Sequence, residues 1–218
     1  MRMDRMKTNR LFALFLTLLL AFPAVAAPPR KSLSAQDRAD VQRAEEYLNS
    51  FSTLKARFLQ VSANGGQAEG QAYLSRPGRM RLQYDPPSPL LVVADGRFLI
   101  VHDRQLDAPS YIPLNSTPAG ILVRADVRLD GKDVAVTRVV RQPGVLNISM
   151  VEAEDPGAGE LTLVFSERPF ALRQWRVVDA QGQTTSVSLY ESQTGMALDG
   201  KLFEFKDQKF LTPNLQGG

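Results

Sequence analysis

Residues 70–102 read GQAYLSRPGRMRLQYDPPSPLLVVADGRFLIVH. Within them Met80, Leu82 and Tyr84 alternate with Arg79, Arg81 and Gln83, the period of two that belongs to a strand with one buried face. Arg76-Pro77-Gly78 reverses the chain ahead of that strand, and Asp85-Pro86-Pro87 breaks it behind. Residues 90–94 and 98–102 then flank Asp95-Gly96, a dipeptide suited to a tight hairpin because it tolerates positive φ. Short turns between consecutive apolar runs dictate antiparallel neighbours, so this stretch predicts a meander rather than a crossover fold.

The same grammar extends in both directions. Upstream, Leu54, Ala56 and Phe58 alternate with Lys55, Arg57 and Leu59, and Asn64-Gly65-Gly66 turns the chain into a run that reaches Ser75. Downstream, strands are expected at 133–141, 145–152, 160–166, 172–179, 184–191 and 201–206, with Asp130-Gly131, Pro143-Gly144, Asp155-Pro156-Gly157, Gln181-Gly182 and Asp199-Gly200 between them. Two helices interrupt the pattern. Ser34-x-x-Asp37 is a helix start, and Val41, Ala44, Tyr47, Leu48 and Phe51 follow at helical spacing, predicting a helix over 35–50. Thr117-Pro118 opens a shorter one through Ile121, Leu122 and Val123. The expectation is an α+β fold with a single domain: one large antiparallel sheet curling into an incomplete β-barrel. The short helices have only its concave side on which to bury their apolar faces.

The chain has 218 residues, 44% of them hydrophobic, which suffices for one well-filled domain. It has no Cys, which excludes disulfide scaffolds, thiolate metal sites and cysteine nucleophiles. Its formal charge of +3 resides in residues 1–26, where Arg2, Arg5, Lys7 and Arg10 face only Asp4. The remainder is neutral, which argues against a nucleic-acid binder, since phosphate affinity needs concentrated positive charge. Those same residues have the order of a secretory leader: a basic start, an apolar run over 11–22 (LFALFLTLLLAF), then Ala24-Val25-Ala26 as a small-x-small cleavage triplet. The run is short for a bilayer span. A signal peptide over 1–26 and a mature domain over 27–218, exported to the periplasm, are therefore expected.

No catalytic constellation stands out. His102 is the single histidine, and no Gly-x-Ser-x-Gly elbow accompanies it. The acids of Glu152-Ala153-Glu154-Asp155 lie among Gly and Pro in what reads as a solvated loop, and Glu45-Glu46 on a polar helix face. No Gly-rich phosphate loop or metal-ligand spacing is present, so neither enzyme chemistry nor a cofactor or metal is expected. The apolar inventory is the unusual feature: Phe58, Tyr73, Met80, Leu82, Tyr84, Phe98, Phe165, Trp175, Phe203 and Phe205 all fall on expected strands. Ordinary core is the plainer reading for any one of them. A sheet this wide with so few helices either packs solid or encloses a cavity.

The series Phe58-Leu59-Gln60, then Gly70 through Pro87, then Val92-Val93-Ala94-Asp95-Gly96 and Asn115-Ser116-Thr117-Pro118 resembles the LolA family of periplasmic lipoprotein carriers. Leu172-x-x-Trp175-x-Val177-x-Asp179 and Leu202-Phe203-x-Phe205 extend the likeness over most of residues 36–206. The resemblance implies an incomplete barrel with a helical lid. It also implies a monomeric shuttle that accepts acylated lipoproteins from an inner-membrane ABC transporter of the LolCDE type and delivers them to the outer membrane, through a LolB-type acceptor or directly. Met80 and Leu82 stand where family members often carry aromatics, which implies a cavity of different shape. The arginine of the Arg-Pro pair, Arg76 here, is implied to tie strand to helices and favour the closed form.

Burying an acyl chain of ~14 methylenes is worth roughly 11 kcal/mol, so such cargo needs a dry surface while it crosses water. Phe58, Met80, Leu82, Tyr84, Phe98 and Trp175 are the expected acyl-chain contacts, with Arg76 as lid control. A periplasmic lipid-binding sensor of related half-barrel fold is the alternative; the few residues after Phe205 leave no second domain for a signalling partner and favour the carrier.

Overall fold

In the computed structural model, which describes residues 32–106 and 108–206, the chain forms one sheet of eleven antiparallel strands. The strands are β1 (Thr53–Val61), β2 (Gln67–Ser75), β3 (Arg79–Tyr84), β4 (Leu90–Asp95), β5 (Phe98–Asp103), β6 (Ala108–Pro113), β7 (Val134–Gln142), β8 (Val145–Glu152), β9 (Gly159–Glu167), β10 (Phe170–Asp179) and β11 (Thr184–Thr194). Their spatial order is β6-β5-β4-β3-β2-β1-β11-β10-β9-β8-β7. The first strand therefore sits at the middle, pairing with the last, and the sheet does not close, since β6 and β7 are edges. The expected leader lies outside the described residues.

Helix α1 (Ala35–Asn49) starts as its sequence dictates. The Ser34 hydroxyl accepts from the Asp37 amide at 3.0 Å, and the Asp37 carboxylate accepts from the Ser34 amide at 3.1 Å, satisfying two N-terminal donors reciprocally. Helix α2 (Pro118–Leu122) follows a 3-10 turn over Leu114–Ser116; Thr117 caps it, accepting from the Gly120 amide. Both helices press apolar side chains onto the concave face. Val41, Ala44 and Leu48 of α1 and Ile121 and Leu122 of α2 belong to one buried cluster with Phe58, Leu82, Tyr84, Ile148, Leu163, Phe165 and Leu189 of the sheet.

One expectation about the strands is corrected and one strand was missed. The segment expected as a strand at 201–206 is instead a 3-10 turn over Gly200–Phe203. The Asp199 carboxylate takes the Lys201 amide at 2.9 Å and coils the chain, and the turn packs on the outer face of β3 and β4 rather than along a sheet edge. Arg81 Nη1 donates to the Leu202 carbonyl at 3.1 Å, and Phe203 is buried. Conversely, β6 carries Pro109 and Pro113, which mask a strand in sequence and which an edge position tolerates.

Gly70 shows how tightly the inner face is fitted. It lies opposite Phe58 on β1 and Tyr84 on β3. A Cβ there would stand 2.7 Å from Phe58 Cε1 and would also run into the Gln83 carbonyl. Gly70→Ala is expected to destabilise the fold by about 1–3 kcal/mol through overpacking, read as a lower urea midpoint at unchanged slope; a midpoint equal to wild type would show that both the Phe58 ring and the Gln83 backbone yield.

Candidate functional site

The turn between β2 and β3 carries Arg76 to the place where both helices end. Its Nε donates to the Leu122 carbonyl at the end of α2 at 2.9 Å. Its Nη1 donates to the Phe51 carbonyl at 3.0 Å and to the Leu48 carbonyl in the last turn of α1. The guanidinium also stands 5.1 Å from the centre of the Phe51 ring. A cation at two helix C-termini meets the negative ends of both dipoles and satisfies carbonyls that the helices leave unpaired. Burial pulls the Arg76 guanidinium down to about 10, so it remains charged at neutral pH. Two backbone bonds hold the same junction: the Arg76 amide to the Ser52 carbonyl at 2.8 Å, and the Gly78 amide to the Val123 carbonyl at 2.7 Å.

Beneath this junction lies an apolar cavity of about 20 Å³, walled by Met80, Leu82 and Trp175 of the sheet, Leu48 of α1, Leu122 of α2 and Arg76 itself. A second crevice of about 40 Å³ lies beyond α2, over Ile121, Val134, Met150 and Leu161. Each has room for little more than one or two waters. With the helices in place, only these small spaces remain beneath them on the concave side among the described residues.

Of the candidate residues, Arg76, Met80, Leu82 and Trp175 are brought together around this cavity. Phe58 and Tyr84 share the same face without walling the cavity; their rings meet edge to face at 5.1 Å, and the Tyr84 hydroxyl donates to Gln60 Oε1 at 2.6 Å. Burial pushes the Tyr84 hydroxyl up to about 12. Phe98 is not part of this set. Met80 pairs with Ala94 and Ala94 with Leu99, so Leu99 continues the inner row and Phe98 points to the outer face. There it meets the Tyr111 ring at 6.1 Å. His102 shares that outer face, 5.2 Å from the Phe205 ring.

Sequence reasoning passes over several groups that hold α1 down. Asn49 exchanges two hydrogen bonds with the Val127 backbone, at 3.0 and 2.8 Å, and Glu45 Oε1 accepts from the Leu129 amide at 2.7 Å. Tyr47 meets the Phe165 and Phe170 rings edge to face, and Arg43 lies 3.9 Å over Phe170. Arg141, near the end of β7, donates through Nε to Asp40 at 2.6 Å and through Nη2 to Asp37 at 2.8 Å. Only the helical spacing of Tyr47 and Leu48 signals any of this; the polar partners lie some eighty to a hundred residues away.

Three comparisons with known proteins bear on the site. A family model described as outer membrane lipoprotein carrier protein LolA matches residues 49–206. An outer-membrane lipoprotein carrier protein of Azotobacter vinelandii is 28% identical over 202 residues, covering 88% of this chain and 94% of its own. One from Legionella pneumophila is 29% identical over 206 residues, covering 90% and 95%. Among solved structures, a LolA superfamily protein from Nitrosomonas europaea aligns over 80% of this chain and 99% of its own, with a TM-score of 0.44 and 11% identity.

The Arg141 hydrogen bond, followed by those from Ser34, holds the Asp37 carboxyl at about 2, below its ordinary 3.8. A depressed acid contributes stability that is fully present above about 4 and is lost as pH falls through about 2. An NMR titration should therefore place the Asp37 midpoint near 2, with the start of α1 loosening below it; a midpoint near 3.8 would mean that the contacts do not persist in solution.

Proposed function

The chain belongs to the LolA family of outer-membrane lipoprotein carrier proteins, and from that premise we propose that it is a periplasmic shuttle that holds lipoprotein acyl chains between its sheet and its helices. In this reading it takes acylated lipoproteins from an inner-membrane ABC transporter and hands them to the outer membrane or to an acceptor there. The leader-like residues 1–26 support the periplasmic address. The carrier role described for the relatives supports the cargo class. The observation that carries the reading is Arg76, which holds the ends of both helices over an apolar interior.

The energetics favour reversible handover. When the helices lift, Val41, Leu48, Ile121 and Leu122 lose their places on the sheet. At about 1.5–3 kcal/mol for each large apolar side chain, that exposure costs roughly 6–12 kcal/mol. One acyl chain of ~14 methylenes returns roughly 11 kcal/mol. The two are comparable, so loading is close to balanced, and whichever contact biases the lid decides the direction of transfer. Arg76 is that contact in this reading: it favours the closed, unloaded form and so assists release. Phe58, Met80, Leu82, Tyr84 and Trp175 are the proposed acyl contacts; Phe98, on the other face, contributes none.

Protein taken from its native compartment should yield acylated peptides or lipoproteins by mass spectrometry. Arg76→Leu should still load cargo but transfer it to acceptor membranes more than about tenfold less well, because several hydrogen bonds to one charged group are lost from the closed form alone. Equal transfer by variant and wild type would refute this role for Arg76, and a consistently empty protein would refute the carrier reading.

A further inference from the structure

Helix α1 is gripped by arginines of the sheet at both ends, and the two grips differ in chemistry. At its C-terminal end Arg76 bonds neutral carbonyls in a buried junction. At its N-terminal end Arg141 presents a two-pronged guanidinium to two carboxylates on successive turns of the helix. Side-chain exposure there is 38% for Arg141, 24% for Asp37 and 12% for Asp40. Asp40 lies on the buried stripe of α1 beside Val41 and Ala44, where an unpaired carboxylate would be costly. Arg141 is also well placed to act mechanically. It sits on β7, an edge strand, whereas Arg76 follows β2 on the other half of the sheet. Held by both arginines, α1 bridges six strand steps of the sheet, from β2 to the β7 edge.

We propose that Arg141 is a second positioning residue of the lid: its fork to Asp37 and Asp40 sets how often the N-terminal half of α1 leaves the sheet in the unloaded protein. This rests on the reading of α1 as a lid, and assigns part of its control to a residue six strands from Arg76 in the sheet order. Because the fork is ionic and in contact with water, salt weakens it; the carbonyl bonds of Arg76 are buried and respond little. The Asn49 and Glu45 bonds to Val127 and Leu129 fasten the C-terminal half of α1 to the chain between α2 and β7, so that half stays in place when the N-terminal half lifts.

Hydrogen exchange read by mass spectrometry on the cargo-free mature chain tests this without reference to any ligand. Arg141→Gln should speed exchange of the α1 amides by about fivefold at low salt while the β8 and β9 amides keep their rates. Raising salt from about 50 to about 500 mM should bring wild-type α1 toward the variant's rate and leave the variant unchanged. Asp40→Asn should add less in the Arg141→Gln background than it does alone, and Arg141→Lys should restore only part of the protection, since an ammonium lacks the planar fork. Unchanged α1 exchange in Arg141→Gln, or acceleration shared equally by all strands, would overturn the proposal. A salt-responsive α1 in a protein that never yields acylated cargo would leave the clamp standing and remove the carrier reading instead.

Discussion

An antiparallel sheet that curls without closing has an apolar concave face that must be covered by something other than strands. Much of the architecture follows from this constraint. A closed barrel would pack its interior with its own side chains; here Phe58, Leu82, Ile148, Leu163 and Phe165 need partners from outside the sheet, and Val41, Ala44, Leu48, Ile121 and Leu122 provide them. The helices are too short and too polar elsewhere to stand alone. Sheet and helices therefore depend on each other for burial, yet no covalent or hydrogen-bonded ladder obliges them to stay together. Discrete side-chain ties do that work: Arg76 with Asn49 and Glu45 along the C-terminal half of α1, and Arg141 at its N-terminal end.

That arrangement separates shape from affinity. The sheet keeps a trough with fixed walls, held by strand pairing on both sides of β1. The helices fill the trough with their own apolar side chains. The small spaces around Met80, Leu82 and Met150 are those of a trough filled by its own cover.

The sheet was legible because turn chemistry and alternation agreed. Arg76-Pro77-Gly78, Asp95-Gly96 and Pro143-Gly144 all fall at strand ends, and Met80, Leu82 and Tyr84 share the face their alternation predicts. Phe98 was not legible, and the reason is local. Residues 98–102 are apolar or aromatic throughout, because here both faces are covered, the inner by the α2 region and the outer by the C-terminal turn, so no polar residue marks which face is which. The face is settled by the Asp95-Gly96 hairpin register, in which Leu99, not Phe98, meets Ala94. Leu202-Phe203-Glu204-Phe205 has a strand-like alternation for a related reason: it lies flat on a sheet, although it is no strand. The Arg141 fork left no trace at all, since a charged residue on an edge strand and two acids on successive turns of a helix each have ordinary surface explanations until the fold sets them side by side.

Leaving a barrel open also leaves two rows of peptide groups able to recruit a neighbouring chain, a hazard at the concentrations of a crowded compartment. On β6 the Leu114 amide, just past the strand, faces inward to the Arg97 carbonyl, so by alternation the amides of positions 109, 111 and 113 face outward. Pro109 and Pro113 delete two of those three donors. On β7 the bulge between Val136 and Arg138 breaks the ladder's repeat, and Arg138 and Arg141 place charge beside it. The molecule can thus hold its cleft ajar without seeding growth of its own sheet from one copy to the next.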